Sequence, residues 1–181
     1  MASRVGHDLV DRAMKRSLLA YARAVLNGDQ TLLALDCPML LWEVGERSPE
    51  AVAESLVTAN DGTSQAGPRP DNPLVLPLRS EGTPTSAGGI SIGRSESNDV
   101  VIENPSVSRF HALIHRDLRT QTWTLTDASS RNGTWVEGKR VGQDQAVPLP
   151  DGAALRLGDA VLRFYLPQSF YEYVKRKLET S

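Results

Sequence analysis

Two periodicities divide the chain, a helical one in roughly its first sixty residues and a strand-like one from Leu74 onward. From about Ser3 to Leu26, apolar residues recur at Val5, Leu9, Ala13, Ala22 and Val25, and Met14, Leu18, Leu19 and Leu26 widen the stripe in three- and four-residue steps. Gly28 supplies a stop for this helix. A second apolar run, Leu32 to Val44, is interrupted by Pro38, which predicts a short helix before the proline and leaves the type of the Trp42 segment undecided. Ser48-Pro49-Glu50 supplies an N-cap, a proline at the first helical position and an early acid, and predicts a helix to about Ala59. Residues 1–59 are thus expected to form a small N-terminal helical unit.

Residues 60–73 contain three prolines and no large apolar side chain, so nothing there offsets the entropy of ordering, and a linker is predicted. Beyond it Leu74, Leu76 and Leu78 alternate with Val75, Pro77 and Arg79. Further short strand signals lie at Ile90/Ile92, Val100 to Ile102, Phe110 to His115, Trp123 to Leu125, Trp135/Val136, Val147/Leu149, Ala154 to Leu157 and Val161 to Leu166. Turn pairs separate them, among them Asn98-Asp99, Asn104-Pro105, Asn132-Gly133, Glu137-Gly138, Asp151-Gly152 and Gly158-Asp159. Many short strands at this spacing predict a mainly β domain, a sandwich or barrel, over residues 74–167. Phe170, Tyr173, Val174 and Leu178 form one stripe, with Lys175, Arg176 and Lys177 in the last turns, so a C-terminal helix packed on the sandwich edge is expected within 168–181.

Composition narrows the function classes. The formal net charge is only −2, so a nucleic-acid partner held by neutralising many phosphates is not expected. The single cysteine, Cys37, pairs with nothing internally, and no Cys/His grouping has metal-ligand spacing. No apolar run reaches membrane-spanning length, and the N-terminus lacks a signal-peptide core. A cytoplasmic protein without membrane, metal or cofactor is the expectation.

Chemistry concentrates in three loops. Arg94 follows Gly93 at the end of an alternating strand; Ser108-Arg109 precede His111; Arg131-Asn132-Gly133 form a turn. An arginine fork matches phosphate, the Ser108 hydroxyl adds a neutral donor, and Arg109 and Arg131 add cations. The Asn132 amide both donates and accepts, which suits a peptide backbone. From Gly89 to Gln145 seven Lys/Arg balance seven Asp/Glu, so anion selectivity must come from local convergence. Arg94, Arg109 and Arg131, with Lys139 and Arg140 brought up by the Glu137-Gly138 hairpin, are the candidates, although a solvated turn is the plainer reading of the last two. Trp123 and Trp135 read as core aromatics.

Gly-Arg, Ser-x-x-His and Asn-Gly-Thr in this order on a run of short strands resemble the forkhead-associated (FHA) domain, over roughly Leu74 to Leu166. The resemblance implies a sandwich of two twisted sheets whose loops, at one end, bind a phosphothreonine peptide. It implies that Arg94 and Ser108 contact the phosphate and that Arg109 and Arg131 assist. Asn132 would bond the peptide main chain, while Gly93, His111 and Gly133 would shape the site. The expected function is a non-enzymatic signalling adaptor whose partners are phosphothreonine-containing proteins made by a Ser/Thr kinase. The alternative is a phosphate-independent interaction or oligomerisation module on the same fold.

Two enzyme readings fail on sequence grounds. Ser108, His111 and Asp127 lack a Gly-x-Ser-x-Gly elbow. Gly88 to Ser95 has P-loop spacing with arginine in place of lysine, but strand signals follow where a helix is required. Thr63, Thr83 and Thr85 sit in loop-like sequence, where a phosphorylated copy would be a candidate ligand for its own or a neighbour's site, against the plainer reading of ordinary exposed threonines.

Overall fold

The computed structural model describes residues 16–28, 36–43, 73–79 and 89–180. Residues 1–15 of the first expected helix, residues 29–35 with the short helix expected before Pro38, the helix expected from Ser48 to Ala59, residues 60–72 of the linker expected at 60–73, and Thr63, Thr83 and Thr85 lie outside the described residues. The elements in chain order are β1 (Arg16–Ser17), α1 (Leu18–Asn27), β2 (Met39–Glu43), β3 (Leu74–Pro77), β4 (Ile90–Gly93), β5 (Val100–Val101) and β6 (Ala112–Arg116). There follow β7 (Trp123–Asp127), β8 (Thr134–Val136), β9 (Lys139–Arg140), β10 (Ala146–Pro148), β11 (Ala154–Leu157), β12 (Ala160–Tyr165) and α2 (Pro167–Glu179).

The strands form two sheets, one in the order β1-β3-β2-β12-β11-β8-β9 and one in the order β10-β7-β6-β4-β5. Pairing is antiparallel except between β4 and β5. This is the mainly β, two-sheet architecture predicted, with a helix toward each end of the chain.

Alternation along the strands builds the core between the sheets. Leu40 and Trp42 of β2, Leu155 and Leu157 of β11, and Leu162 and Phe164 of β12 meet Ile92, Ala112, Ile114 and Leu125 from the five-stranded sheet. The other face of the seven-stranded sheet is also covered. There Met39 and Leu41 of β2, Val75 of β3 and Tyr165 of β12 join Tyr21 and Ala22 of α1 and Phe170 and Val174 of α2 in a second cluster. Tyr21 and Phe170 meet edge-on with ring centroids 5.4 Å apart.

Differences from the sequence reading have physical causes. Arg16–Ser17, expected within the first helix, instead pair with β3 at the sheet edge, and the helix starts at Leu18 because Ser17 is extended and caps it. Met39–Glu43 is a strand lying between β3 and β12. Both its faces are buried, so its apolar run is unbroken and carries no period. Residues before the expected boundary therefore enter the sheet, and the stretch 1–59 is not a separate helical unit as far as it is described. The C-terminal helix packs over the outer face of the seven-stranded sheet, beside α1, and not on its edge. Trp135 is only half-buried, on the outer face, because it is Thr134 and Val136 that point inward. Trp123 does pack against the core, near Phe164.

α1 is held at both ends by local chemistry. Ser17 Oγ accepts the Ala20 amide at 3.2 Å. Gly28, at φ +64°, turns its N–H back to the Ala24 and Val25 carbonyls. Ser17→Ala is expected to cost about 1 kcal/mol, read as a lowered urea midpoint with an unchanged slope.

Candidate functional site

The three motif loops meet at one end of the sandwich, and backbone hydrogen bonds set their spacing. The Arg94 amide donates to the Ser108 carbonyl at 2.9 Å and the Ser95 amide to the Arg109 carbonyl at 3.1 Å. The Arg131 amide donates to Ser108 Oγ at 2.9 Å. Asn132 Nδ2 donates to the Ser106 carbonyl at 2.7 Å. The structure thus brings Arg94, Ser108, Arg109, Arg131 and Asn132 together.

Each group retains hydrogen-bonding capacity. Ser108 Oγ accepts from Arg131, so its own proton is left to donate. Arg94 is exposed and donates Nε to the Val107 carbonyl at 3.3 Å, and its two terminal nitrogens have no partner among the described residues. The exposed guanidinium groups of Arg109 and Arg131 likewise have none there. Asn132 keeps its carbonyl oxygen and a second N–H. Such a cluster offers several N–H and O–H donors and no carboxylate, which suits a multiply charged oxyanion.

Supporting residues hold these loops rigid. Gly93 lies against the Arg109 carbonyl, where a Cβ would come within 2.3 Å of the oxygen. Gly133 adopts φ +86°, which lets the turn close at low cost. His111 is fully buried, and its Nδ1 accepts the Ser108 amide at 2.9 Å. Its Nε2 must then carry the proton, and it donates to the Gly133 carbonyl at 3.1 Å. The ring therefore bolts the Ser108 loop to the Gly133 turn. Both its nitrogens are spent on backbone, so it is no base for Ser108, and the triad reading fails on geometry too.

Burial pushes the His111 pKa below 6.5, against the opposing pull of the Gly133 carbonyl and Asp127. The unfolded chain takes up this proton near 6.5 while the folded one resists it, so below that pH the unfolded state binds more protons. Stability is expected to fall as pH drops through 6.5 and to level off below the folded value. Ring-nitrogen NMR checks this directly. His111 should keep the neutral Nε2–H pattern at pH 6.5, and a half-protonated ring there would contradict it.

Two supports were not recognised from sequence. Asn98, read only as a turn signal, is buried and donates Nδ2 to the carbonyls of Ser95 at 2.7 Å and Arg109 at 2.6 Å. Asp127 accepts from the Ser130 amide at 3.0 Å and Ser130 Oγ at 2.6 Å, and from Thr134 Oγ1. Burial alone would raise its pKa, but the bonds from Ser130 and Thr134 outweigh this and hold it below 3.8. Ser130 Oγ in turn accepts the Gly133 amide at 3.0 Å, which shapes the turn bearing Asn132. The signal available was a short polar residue between strands, Asx and Ser types that bond nearby backbone.

Among the described residues no His, Cys, Asp and Glu group could hold a metal ion, and no helix is long and apolar enough to cross a membrane.

Residues 90–158 match the family model of the FHA domain. That segment is therefore an FHA domain. It is 31% identical over 122 residues to the transcriptional regulatory protein EmbR of Mycobacterium tuberculosis, a match covering 67% of this chain and 30% of EmbR. It is 33% identical over 88 residues to human angiogenic factor with G patch and FHA domains 1, covering 45% of this chain and 12% of that protein. A solved structure of Mycobacterium tuberculosis EmbR in complex with a low affinity phosphopeptide is 22% identical, with a TM-score of 0.44, covering 81% of this chain and 29% of that one. The chain spans no more than 30% of the length of these curated relatives.

Proposed function

We propose that this chain is a non-enzymatic adaptor that docks phosphothreonine segments of partner proteins, products of a Ser/Thr kinase, at the loops bearing Arg94, Ser108 and Asn132. The observation that carries the reading is the Arg131 amide seated on Ser108 Oγ, which leaves that hydroxyl's own proton to donate, next in the chain to Val107, whose carbonyl takes Arg94 Nε while the terminal nitrogens of Arg94 have no partner among the described residues. Arg94 and Ser108 would grip the phosphate, Arg109 and Arg131 would add positive potential, and Asn132 would bond the peptide main chain through its unspent carboxamide atoms. Gly93, His111 and Gly133 would hold the loops apart by a fixed amount, so that the phosphate enters a site already built.

Charge-assisted bonds contribute roughly 1.5 to 3 kcal/mol each, and ordering a flexible peptide consumes much of that. Micromolar affinity, about −8 kcal/mol, is expected. The test is titration of the intact chain with a phosphothreonine peptide library and its unphosphorylated counterpart. Selective binding of the phosphorylated set is expected, and equal binding of both would remove the reading.

The phosphate-independent alternative has one feature in its favour, the exposed side chains of Leu19 and Leu26 seven residues apart on α1. Capture of the same partners from lysate before and after phosphatase treatment separates the two. Loss on treatment is expected here.

A further inference from the structure

We propose a second anion-binding subsite beside the first, an arginine–tryptophan–arginine row on the outer face of the seven-stranded sheet. It would take an anionic group, carboxylate or second phosphate, flanking the phosphothreonine of the same docked peptide. The inference rests on the phosphopeptide reading above and adds to it a class of preferred ligand.

The row follows from strand register. Trp135 of β8 stands opposite Arg140 of β9 on one side and Arg156 of β11 on the other. Thr134, Val136, Leu155 and Leu157 point inward, so Trp135 and Arg156 face outward. Both guanidinium groups lie over the indole, that of Arg156 at 3.3 Å from the ring centroid and that of Arg140 at 5.7 Å. α1 and α2 pack with Met39, Leu41, Val75 and Tyr165, toward the other end of the same face.

A guanidinium stacked on a ring presents its flat face to the aromatic and keeps its in-plane N–H groups at the edge. Arg156 spends one of them on the Gly158 carbonyl at 3.0 Å. Arg140 spends none among the described residues, and neither arginine has an ion pair there. Two like charges held on one indole repel each other, and an anion between or beside them relieves that repulsion. A row of solvated surface arginines would need no shared ring.

The row is continuous with the candidate phosphate site. A Cβ on Gly133 would lie 3.2 Å from Arg140 Nε and 3.0 Å from Trp135 Cη2, and Gly133 directly follows Asn132. Gly158, whose carbonyl Arg156 holds, packs on Ser106, whose own carbonyl receives Asn132 Nδ2. A peptide gripped at Asn132 would therefore reach the stack within a few residues of its phosphothreonine.

The experiment is calorimetric titration of the full chain with matched phosphothreonine peptides. One is flanked by alanine, one set carries aspartate and one set a second phosphothreonine at each flanking position in turn, and each has a counterpart with threonine in place of the central phosphothreonine. Anionic flanks should tighten binding about threefold to tenfold at one or two positions. R140A should abolish that gain and leave the alanine-flanked peptide at its wild-type affinity. Arg140→Glu should turn the preference into discrimination against the same peptides, which a purely structural role would not do. Comparison of the aspartate and phosphothreonine arms identifies which anion the subsite takes. Equal binding of all flanks by the wild type, or a uniform loss in R140A, would overturn the subsite while leaving the phosphothreonine site standing. Failure of every peptide to distinguish threonine from phosphothreonine would instead remove the underlying site, and the subsite with it.

Discussion

Arg94→Ala is expected to weaken phosphothreonine-peptide binding by about a hundredfold or more, since at least two charge-assisted bonds of roughly 1.5 kcal/mol each would be lost. The unfolding midpoint should stay close to the wild type. Arg94 is exposed, its one bond among the described residues is the long Nε contact to the Val107 carbonyl, and its backbone amide still pairs with Ser108. Titration calorimetry beside thermal unfolding reads both quantities. Unaltered affinity with a folded variant would show that the phosphate sits elsewhere.

Gly93→Ala is expected to act in the opposite sense, on the fold first. The added Cβ would meet the Arg109 carbonyl oxygen at 2.3 Å and its carbon at 2.9 Å. That oxygen is already fixed by the Ser95 amide and Asn98 Nδ2, and the Gly93 carbonyl by the Ile102 amide at 2.9 Å. Backbone has to move, so overpacking should cost about 3 kcal/mol. The midpoint should drop by roughly 6 to 12 °C for a domain of this size. Binding should weaken as well, because the displaced loop carries Ser108. A variant as stable as the wild type would mean that the loops are looser than the hydrogen bonds imply.

The contrast between these neighbours shows what was legible in the sequence. The candidate site residues stand in loops or at a strand end, where turn chemistry and side-chain identity are written locally, so Gly93, Arg94, Ser108 and Asn132 could be proposed without any fold. Strands such as Ala154–Leu157 were legible because one face is buried and the other is not. Met39–Glu43 was not, because helices cover one of its faces and the opposite sheet the other. Pro38 before it suggested a broken helix, whereas in the fold its carbonyl receives the Leu78 amide at 2.8 Å and helps bring the two strands together.

Trp135 was misread for a different reason. Polar Thr134 points inward because Asp127 accepts its hydroxyl, and this sends the indole outward, opposite to what hydrophobicity predicts. Asp127 itself looked like part of an accidental triad. Its actual partners, Ser130 and Thr134, lie three and seven residues on and bind it as a structural acceptor. A period of alternation cannot reveal such an inversion, since the cause is a polar network closed across a loop. The arginine row on Trp135 was hidden for the same reason, together with the register that sets β9 and β11 on either side of β8.

The central claim, that three loops assemble one phosphate site, is tested most directly by following backbone amide resonances of the isotopically labelled chain during titration with a phosphothreonine peptide. The largest shifts should fall together on Arg94 and Ser95, Ser108 and Arg109, and Arg131 to Gly133, and should be absent with the unphosphorylated peptide. Shifts confined to α1 and α2, or identical with and without the phosphate, would contradict it.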